Sequence, residues 1–244
     1  MTDILLEVCV DDVAGLHAAV AGGADRIELC SALALGGLTP SAGLMAAAAK
    51  LTIPSYAMIR PRAGDFRYSQ AELGIMLRDI DVVRDAGLAG VVLGANVTDG
   101  TLDAEMLNSL AGASTGLGMT LHRAFDLVPD FAQAVETAVA IGFERILTSG
   151  GMQKAHDGIS GLATAIQVSK GRISIMPGAG VSLQTVDHLL ENLEISEIHS
   201  SCSIGEAVPD QRAVSLGFTL PELRRTDAAT VLALKRHLQG RRRA

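Results

Sequence analysis

Short runs rich in isoleucine, valine and leucine recur along the 244 residues of this chain, and each is followed by a segment with helical spacing. These runs predict eight strands, at Ile4–Val10, Arg26–Cys30, Ser55–Pro61, Gly90–Ala95, Gly118–Arg123, Arg145–Gly150, Arg172–Gly178 and Glu197–Cys202. Their starts lie about 28 residues apart on average, which leaves room for one strand, one helix and two short loops in each unit. Repeated units of this kind are typical of an all-parallel sheet with right-handed crossovers.

The segments between the predicted strands carry an apolar face, as helices packed on a sheet require. In one of them Leu73, Met76, Leu77, Ile80 and Val83 form a stripe at three- and four-residue spacing. Eight strand–helix units without an intervening linker predict an α/β fold of one domain, a closed (β/α)8 TIM barrel.

An open, dinucleotide-binding sheet is the alternative that the same alternation allows. It would need G-x-G-x-x-G directly after the first strand, where this chain reads Asp11-Asp12-Val13-Ala14-Gly15. We therefore expect one barrel domain over residues 1–244, in which 226–244 form the last helix and a basic tail. Residues 203–225 are poorly periodic, and we expect a loop over the barrel mouth or an oligomerisation arm there.

Composition and charge exclude several classes of protein. The chain is 48% hydrophobic and 19% charged, which is too apolar for a disordered protein. Its 27 acidic residues against 20 basic ones leave a net charge of −7, which argues against a nucleic-acid partner. No apolar run reaches the roughly eighteen residues of a membrane span, and the start lacks a secretory leader pattern. Three cysteines without close spacing suit a reducing compartment, so we expect a cytoplasmic location.

Polar side chains interrupt the predicted strands on one face only. Glu7 and Cys9 alternate with apolar neighbours in the first strand, and Glu28 and Cys30 do so in the second. The purely apolar face must pack against helices, so we expect these four side chains inside the barrel. They would then lie near the carboxyl ends of the strands, where barrel enzymes place their chemistry. His199, in the eighth strand, is expected to join them.

Buried carboxylates are costly without a cation. Met58, Arg60 and Arg62 share one face of the third predicted strand, and the two arginines are the cations we expect beside Glu7 and Glu28. An ion-pair network that only fills the barrel mouth would explain the same residues. A functional pocket is the other interpretation, because charged groups from several strands converge there.

The loops after the strands carry polar or small residues that suit an anionic ligand. These residues are Asp65, His122, Arg123, Asp126, Ser149, Gly178 and Gly180. Glycine-rich loops after the seventh strand of a barrel often hold phosphate with backbone N–H groups. A lone Gly-Ala-Gly is equally a tight strand-to-helix turn.

Cys9 and Cys30 fall in the same phase near the ends of neighbouring strands, where their sulfurs could approach each other. Soft thiolates suit Cu(I) or zinc, while free cysteines are also commonly inert core residues, and spacing leaves both interpretations open. Cys202 falls out of phase with His199 and is expected to be a packing residue. The sequence lacks the motifs of a closed zinc site and of a nucleophile elbow.

Several longer motifs follow one another along the chain. They are Leu6-Glu7-Val8-Cys9-Val10, Gly22-Gly23-Ala24-Asp25-Arg26-Ile27-Glu28-Leu29-Cys30, Gly36-Gly37-Leu38-Thr39-Pro40-Ser41, Ile59-Arg60-Pro61-Arg62-Ala63-Gly64-Asp65-Phe66, His122-Arg123-Ala124-Phe125-Asp126, Arg145-Ile146-Leu147-Thr148-Ser149-Gly150 and Glu197-Ile198-His199-Ser200-Ser201. Together they resemble the copper homeostasis protein CutC family, over about residues 4–202. Ala63, where the family usually has a second glycine, and Arg67 are small departures beside the expected pocket.

This resemblance implies a cytosolic (β/α)8 barrel, often a homo-oligomer such as a dimer or tetramer, that binds or handles copper. Two cysteines near the barrel mouth are the proposed copper ligands in animal members of the family, and Cys9 and Cys30 match those positions. The resemblance therefore implies Cu(I) as the bound ion and these two cysteines as its ligands. It implies no reaction.

A second hypothesis is an enzyme, because two thiols would suffice for copper and would leave the gathered charges unexplained. Its substrate would be a small anionic, phosphorylated or sugar-like compound, and its reaction an isomerisation, a lyase cleavage or a hydrolysis. The catalytic candidates are Glu7 or Glu28 as base, with His122, Asp126 and His199. The candidates for holding substrate are Arg60, Arg62, Asp65, Arg123, Ser149, Gly178 and Gly180. A third hypothesis is a barrel that binds a small anionic ligand without turnover.

Overall fold

A parallel eight-stranded sheet organises the computed structural model, which describes residues 4–240. The strands are β1 (Leu5–Val10), β2 (Arg26–Leu29), β3 (Ser55–Met58), β4 (Gly90–Leu93), β5 (Gly118–Leu121), β6 (Arg145–Thr148), β7 (Ser174–Pro177) and β8 (Glu197–Ser200). Hydrogen-bonded ladders join them in the order β7-β6-β5-β4-β3-β2-β1-β8, and β7 packs beside β8. The result is a nearly closed (β/α)8 barrel, which confirms the predicted fold.

Helices follow the strands along the chain and cover the outside of the barrel. They are α1 (Val13–Gly22), α2 (Ala42–Ala48), α3 (Gln70–Ala86), α4 (Ala104–Ala113), α5 (Phe131–Ile141), α6 (Ile159–Ser169) and α7 (Val186–Asn192). The predicted apolar stripe is the buried face of α3, where Leu73, Met76, Ile80 and Val83 are buried. Gly87 ends this helix with a φ of 77°, a left-handed conformation that glycine adopts without a Cβ clash.

The third strand ends earlier than its sequence predicts. β3 stops at Met58, whereas the apolar pattern runs on to Pro61. The backbone N–H of Arg60 donates to the Thr39 hydroxyl at 3.0 Å instead of continuing the ladder. Arg60 and Arg62 therefore belong to a loop, and strand alternation does not decide which way each of them points.

The segment between β8 and the last helix is an ordered β-hairpin. β9 (Ser203–Ala207) and β10 (Glu222–Thr226) pair antiparallel, and the short helix α8 (Gln211–Ser215) lies in the connection between them. α9 (Ala228–Gly240) then packs against α1 as the eighth outer helix. The segment expected to be a loop or an arm thus has regular secondary structure. Its strands are largely exposed, so their sequence lacks the apolar pattern that would have predicted them.

The predicted basic tail, Arg241-Arg242-Arg243, lies outside the described residues. Within residues 4–240, none of the helices combines the length and the apolar character needed to cross a bilayer.

Candidate functional site

Strand register brings polar side chains of β1, β2 and β8 together inside the barrel. Glu7 lies opposite Arg26 on one side and opposite His199 on the other, and Cys9 lies opposite Glu28. Side chains two residues apart share a face of a strand, so all five point to the interior. All five are buried.

The lower part of this cluster is a network of buried charges. The Arg26 guanidinium donates through Nε to Glu7 and through Nη2 to Glu197. Arg145 joins it, with its Nε 3.2 Å from a carboxylate oxygen of Glu197. Both guanidinium groups lie over the Tyr56 ring, at 5.6 Å and 4.8 Å from its centre. Each carboxylate of this layer therefore has a cationic partner, as burial requires.

His199 connects two carboxyl groups. Its Nδ1 lies 2.9 Å from Glu7 Oε1, and its Nε2 lies 3.8 Å from Glu28 Oε2. Burial alone would lower the pKa of His199, but Glu28 and Cys9 outweigh it and raise that pKa well above 6.5. Burial likewise opposes ionisation of Glu7, yet Arg26 and His199 hold the pKa of this carboxyl at about 2. For Glu28 burial dominates, and its pKa is raised.

A thiol completes this arrangement. The ligand atoms of Cys9, Glu28 and His199 all lie within 4.8 Å of one another, and we call these residues the buried trio. The Glu7 carboxylate is hydrogen-bonded to His199 Nδ1, so the other ring nitrogen, Nε2, is the one near Cys9 and Glu28. A carboxylate commonly orients a metal-binding histidine in this way. Within the described chain, Glu28 Oε1 has no hydrogen-bond partner. Thiol, imidazole and carboxylate together form a ligand set for a transition metal.

Cys30 lies beside the buried trio and not within it. Its thiol donates to Glu28 Oε2 at 3.5 Å and packs with Tyr56, Met58 and Val92. Burial, reinforced by the Glu28 carboxyl, raises the pKa of Cys30 well above 9.0, which disfavours the thiolate form that metals bind. The two cysteines singled out in the sequence therefore have different surroundings.

The buried trio borders a cavity of about 190 Å³ at the carboxyl end of the barrel. Met58, Arg60, Phe66 and His122 also line this cavity. His122 accepts a hydrogen bond at Nδ1 from the backbone N–H of Ala124, at 3.1 Å, and its Nε2 has no partner among the described residues. Burial and the charge of Arg60 lower the pKa of His122 to about 3. This imidazole is therefore neutral at physiological pH.

Arg62 and Asp65 lie away from the cavity. The Arg62 side chain is 39% exposed and pairs with Asp65 at 3.0 Å and with Glu72 at 2.5 Å. Asp65 also pairs with Arg67 at 2.7 Å. These contacts hold the loop after β3 in place at the surface.

Asp126 organises the loop after β6. It accepts hydrogen bonds from the Thr148 hydroxyl at 2.5 Å and from the backbone N–H of Ser149 at 3.0 Å, and it pairs with Arg123 at 2.7 Å. Arg123 also borders the cavity, but its guanidinium already contacts Asp126 and the Ser149 hydroxyl.

The glycines after β7 have packing roles in the structure. A Cβ at Gly178 would come within 2.4 Å of Leu147 Cδ1. Gly180 has a φ of 72° and lies against the Lys154 side chain. Between them Ala179, with a φ of 74°, borders the cavity, so the backbone of this loop approaches the site closely.

Sequence reasoning missed Arg26, Arg145 and Glu197, which form the charged layer. The guanidinium that balances Glu7 is Arg26, its register neighbour, rather than Arg60 or Arg62 as expected. Arg26 stands two residues before Glu28, so strand alternation alone would have placed it on the inner face.

The fold and site define a single-domain (β/α)8 barrel with a buried cysteine–glutamate–histidine cluster at the carboxyl ends of its strands. A sequence model described as the CutC family matches residues 4–204, and the chain belongs to the CutC family. It is 62% identical to the CutC family protein of Rhizobium meliloti (strain 1021), over 98% of each chain. It is 54% identical to that of Agrobacterium fabrum (strain C58), over 95% of this chain and 93% of the relative.

Two solved structures show the same architecture. A CutC protein of Streptococcus agalactiae, for which a role in copper homeostasis has been suggested, is 32% identical with a TM-score of 0.77, over 81% of this chain and 98% of that chain. A deoxyribose phosphate aldolase from Aeropyrum pernix has a TM-score of 0.61 at 14% identity, over 80% of this chain and 85% of that chain. The second likeness shows the fold alone.

Proposed function

We propose that this protein binds copper, as Cu(I), at the barrel mouth and handles it in the cytoplasm. The observation that carries the proposal is the buried trio, in which Cys9 and His199 offer sulfur and imidazole to one point. Cu(I) prefers such soft ligands. Membership of the CutC family and the role suggested for the Streptococcus agalactiae relative support the same ion.

The surrounding residues suit this ion. The Met58 side chain borders the same cavity, and a thioether is a soft ligand. Glu7 fixes the orientation of His199 from its far side. Because thiol and imidazole must lose protons to bind a metal, the unpartnered Glu28 Oε1 is well placed to accept one.

Cys30 is the second ligand that the family resemblance implies. Its sulfur is 3.5 Å from Glu28, which itself belongs to the buried trio. We retain it in the proposal as a neighbouring thiol that supports the site, with Cys9 and His199 as the principal ligands.

An anaerobic Cu(I) titration against a chelator of known affinity tests this proposal. We expect one-to-one binding by the wild type and a loss of at least about a hundredfold in affinity for Cys9→Ser and His199→Asn, because each removes a principal ligand. Cys30→Ser should lose less. Cys202→Ser is the matched control, since Cys202 is also a buried thiol and packs next to the buried trio without belonging to it. Equal affinities in all five proteins would overturn the proposal.

An enzyme is the second candidate function, and the unpartnered Glu28 Oε1 beside His199 favours it. A carboxyl with a raised pKa next to an imidazole with a raised pKa resembles an acid–base pair. Glu28→Gln should then abolish turnover of a small anionic substrate while ligand binding remains. Binding without any turnover in the wild type would instead identify a barrel that only binds its ligand.

Assembly into a dimer or tetramer remains a prediction. The hairpin tip exposes Leu216, Phe218 and Leu220, and exposed apolar side chains of this kind are frequent at subunit interfaces. Sedimentation velocity on the full chain measures the assembly state directly, and a single monomeric species would contradict the prediction.

A further inference from the structure

Arg60 is a buried cation without an anionic partner. It is 5% exposed, and no salt bridge involves it within residues 4–240. Its Nη1 donates to the carbonyl oxygens of Leu35 and Gly37, and its Nη2 donates to that of Gly64, at 2.9 to 3.0 Å. Its Nε makes no hydrogen bond among the described residues, and neither does the neighbouring Tyr68 hydroxyl, whose pKa burial raises against the opposing charge of Arg60. Carbonyl dipoles hold the guanidinium in place and leave its charge uncompensated.

Within the described chain, the ion pairs around the cavity do not involve Arg60. In the network that runs from β2 to β8, Arg145 also contacts the more exposed Glu144 at 3.0 Å, and the buried groups contact one another. They are Glu7, Glu28 and Glu197 on one side and Arg26, Arg145 and His199 on the other. Arg123, the other arginine on the cavity wall, is paired with Asp126. Arg60 therefore lines the cavity as an arginine that no carboxylate contacts within residues 4–240.

His122 supplies a second unused donor beside this charge. Its Nδ1 accepts a hydrogen bond from Ala124 N, so in the neutral ring the proton is on Nε2, which has no partner. Phe66 contacts both groups, with its ring centre 4.7 Å from that of His122 and 5.0 Å from Arg60 Cζ. The side chains of Arg60 and His122 thus line the same cavity, and Phe66 packs against both.

We infer that this wall is a binding site for a small monocarboxylate, which the charge of Arg60 holds beside the imidazole of His122. A buried cation and an unsatisfied buried donor both favour an anionic oxygen acceptor. The single charge of Arg60 matches a monoanion better than a phosphate monoester, which is largely a dianion near neutral pH. The cavity of about 190 Å³ is smaller than sites for drug-sized ligands, so the ligand has few atoms. The inference does not depend on copper binding.

Titration of the copper-free protein with acetate, glycolate and pyruvate tests this inference. The thermal unfolding midpoint and the side-chain ¹⁵N signal of His122 Nε2 are the readouts, with inorganic phosphate and sodium chloride at matched ionic strength as comparisons. We expect saturable stabilisation by at least one carboxylate, together with a shift of the His122 signal. Stronger binding of phosphate, or no saturable binding of any carboxylate, would overturn the inference.

Variants locate the binding. Arg60→Gln removes the charge, and His122→Phe removes the donor while keeping a ring against Phe66, so either should weaken carboxylate binding at least about tenfold. Arg62→Gln is the matched control, because this nearby arginine lies at the surface, and it should bind as the wild type does. Arg60 also holds three loop carbonyls, so if Arg60→Gln does not fold, His122→Phe and the ¹⁵N signal decide the result. Unchanged binding in His122→Phe contradicts the assignment, and the Cu(I) titration stands as a separate measurement.

Discussion

Glu7 is fully buried and accepts hydrogen bonds from both Arg26 and His199. Replacing it with glutamine keeps the shape of the side chain but removes from two buried cations, Arg26 and His199, one of the two carboxyl groups that each of them contacts. We expect Glu7→Gln to lower the free energy of unfolding by roughly 3–5 kcal/mol, because breaking one side of a buried ion pair is strongly destabilising. Urea unfolding followed by circular dichroism measures this change.

A matched control for that measurement is Glu136→Gln. Glu136 pairs with Arg172 at the surface, where both side chains are largely exposed, so its removal should change stability little. If Glu7→Gln is as stable as this control, the buried network does not hold the inner face of the barrel together.

His122 makes the stability of the fold sensitive to acid. Its pKa falls from 6.5 to about 3 on folding because of burial and the charge of Arg60. Between these two pKa values the unfolded chain binds a proton at His122 and the folded chain does not. The stability contributed by neutral His122 is therefore fully present above pH 6.5 and is lost as the pH falls towards about 3. The slope for one proton is about 1.4 kcal/mol per pH unit.

We expect His122→Phe to remove this slope. Urea unfolding of the wild type and the variant at several pH values between 6.5 and about 3 compares their slopes directly. If the free energies of unfolding of the wild type and the variant depend on pH with the same slope, His122 is protonated in the folded protein over this range.

The inner face of β1 could be predicted from sequence because strand alternation is a property of the backbone. It placed Glu7 and Cys9 correctly inside the barrel, where both are buried. Which cation meets Glu7 depends on the register between strands, which spacing along one strand does not specify. The loop after β3 depends on hydrogen bonds between distant segments, so the inward turn of Arg60 and the outward turn of Arg62 could not be predicted.

At the scale of elements, the contact between α1 and α9 depends on a residue without a side chain. A Cβ at Gly22 would lie 2.4 Å from Val231 Cβ, so α9 must move outward to admit even alanine. We expect Gly22→Ala to destabilise the protein by about 1–3 kcal/mol through overpacking, despite the higher helix propensity of alanine. Thermal unfolding measures the change, and Gly22→Ala combined with Val231→Ala should recover part of it.

Gly74→Ala in α3 is the control for this prediction. No atom lies within 4 Å of a Cβ built at Gly74, so alanine there should stabilise the helix by up to about 1 kcal/mol. If the two alanine substitutions change the free energy of unfolding equally, α9 shifts to admit the new Cβ at Gly22 without loss of stability.

The hairpin was the least predictable element. Nearly all residues of β9 and β10 are exposed or partly exposed, so the alternation that reveals half-buried strands is missing from their sequence. The eight barrel strands gave a clear signal because they are buried on both faces.

At the scale of the whole molecule, the buried trio joins β1 and β2 to β8. An ion held by it connects the start of the barrel to its end, and any ligand that binds only the folded state stabilises the whole domain. We expect Cu(I) at a hundredfold excess over its dissociation constant to raise the free energy of unfolding by about 2.7 kcal/mol. Anaerobic thermal unfolding should show this as a higher midpoint.

The same measurement on two variants locates the effect. Cys9→Ser should lose the copper-dependent rise in midpoint, and Cys202→Ser should keep it. A rise that persists in Cys9→Ser would place the bound ion outside the buried trio.

The positions of the trio along the chain also set an order of events during synthesis. Cys9 and Glu28 leave the ribosome early, while His199 follows about 170 residues later. At about 5–20 residues per second, this interval lasts roughly ten to thirty seconds. A nascent or truncated chain therefore carries the thiol and the carboxylate without the imidazole, and only a chain translated through its eighth strand assembles all three groups.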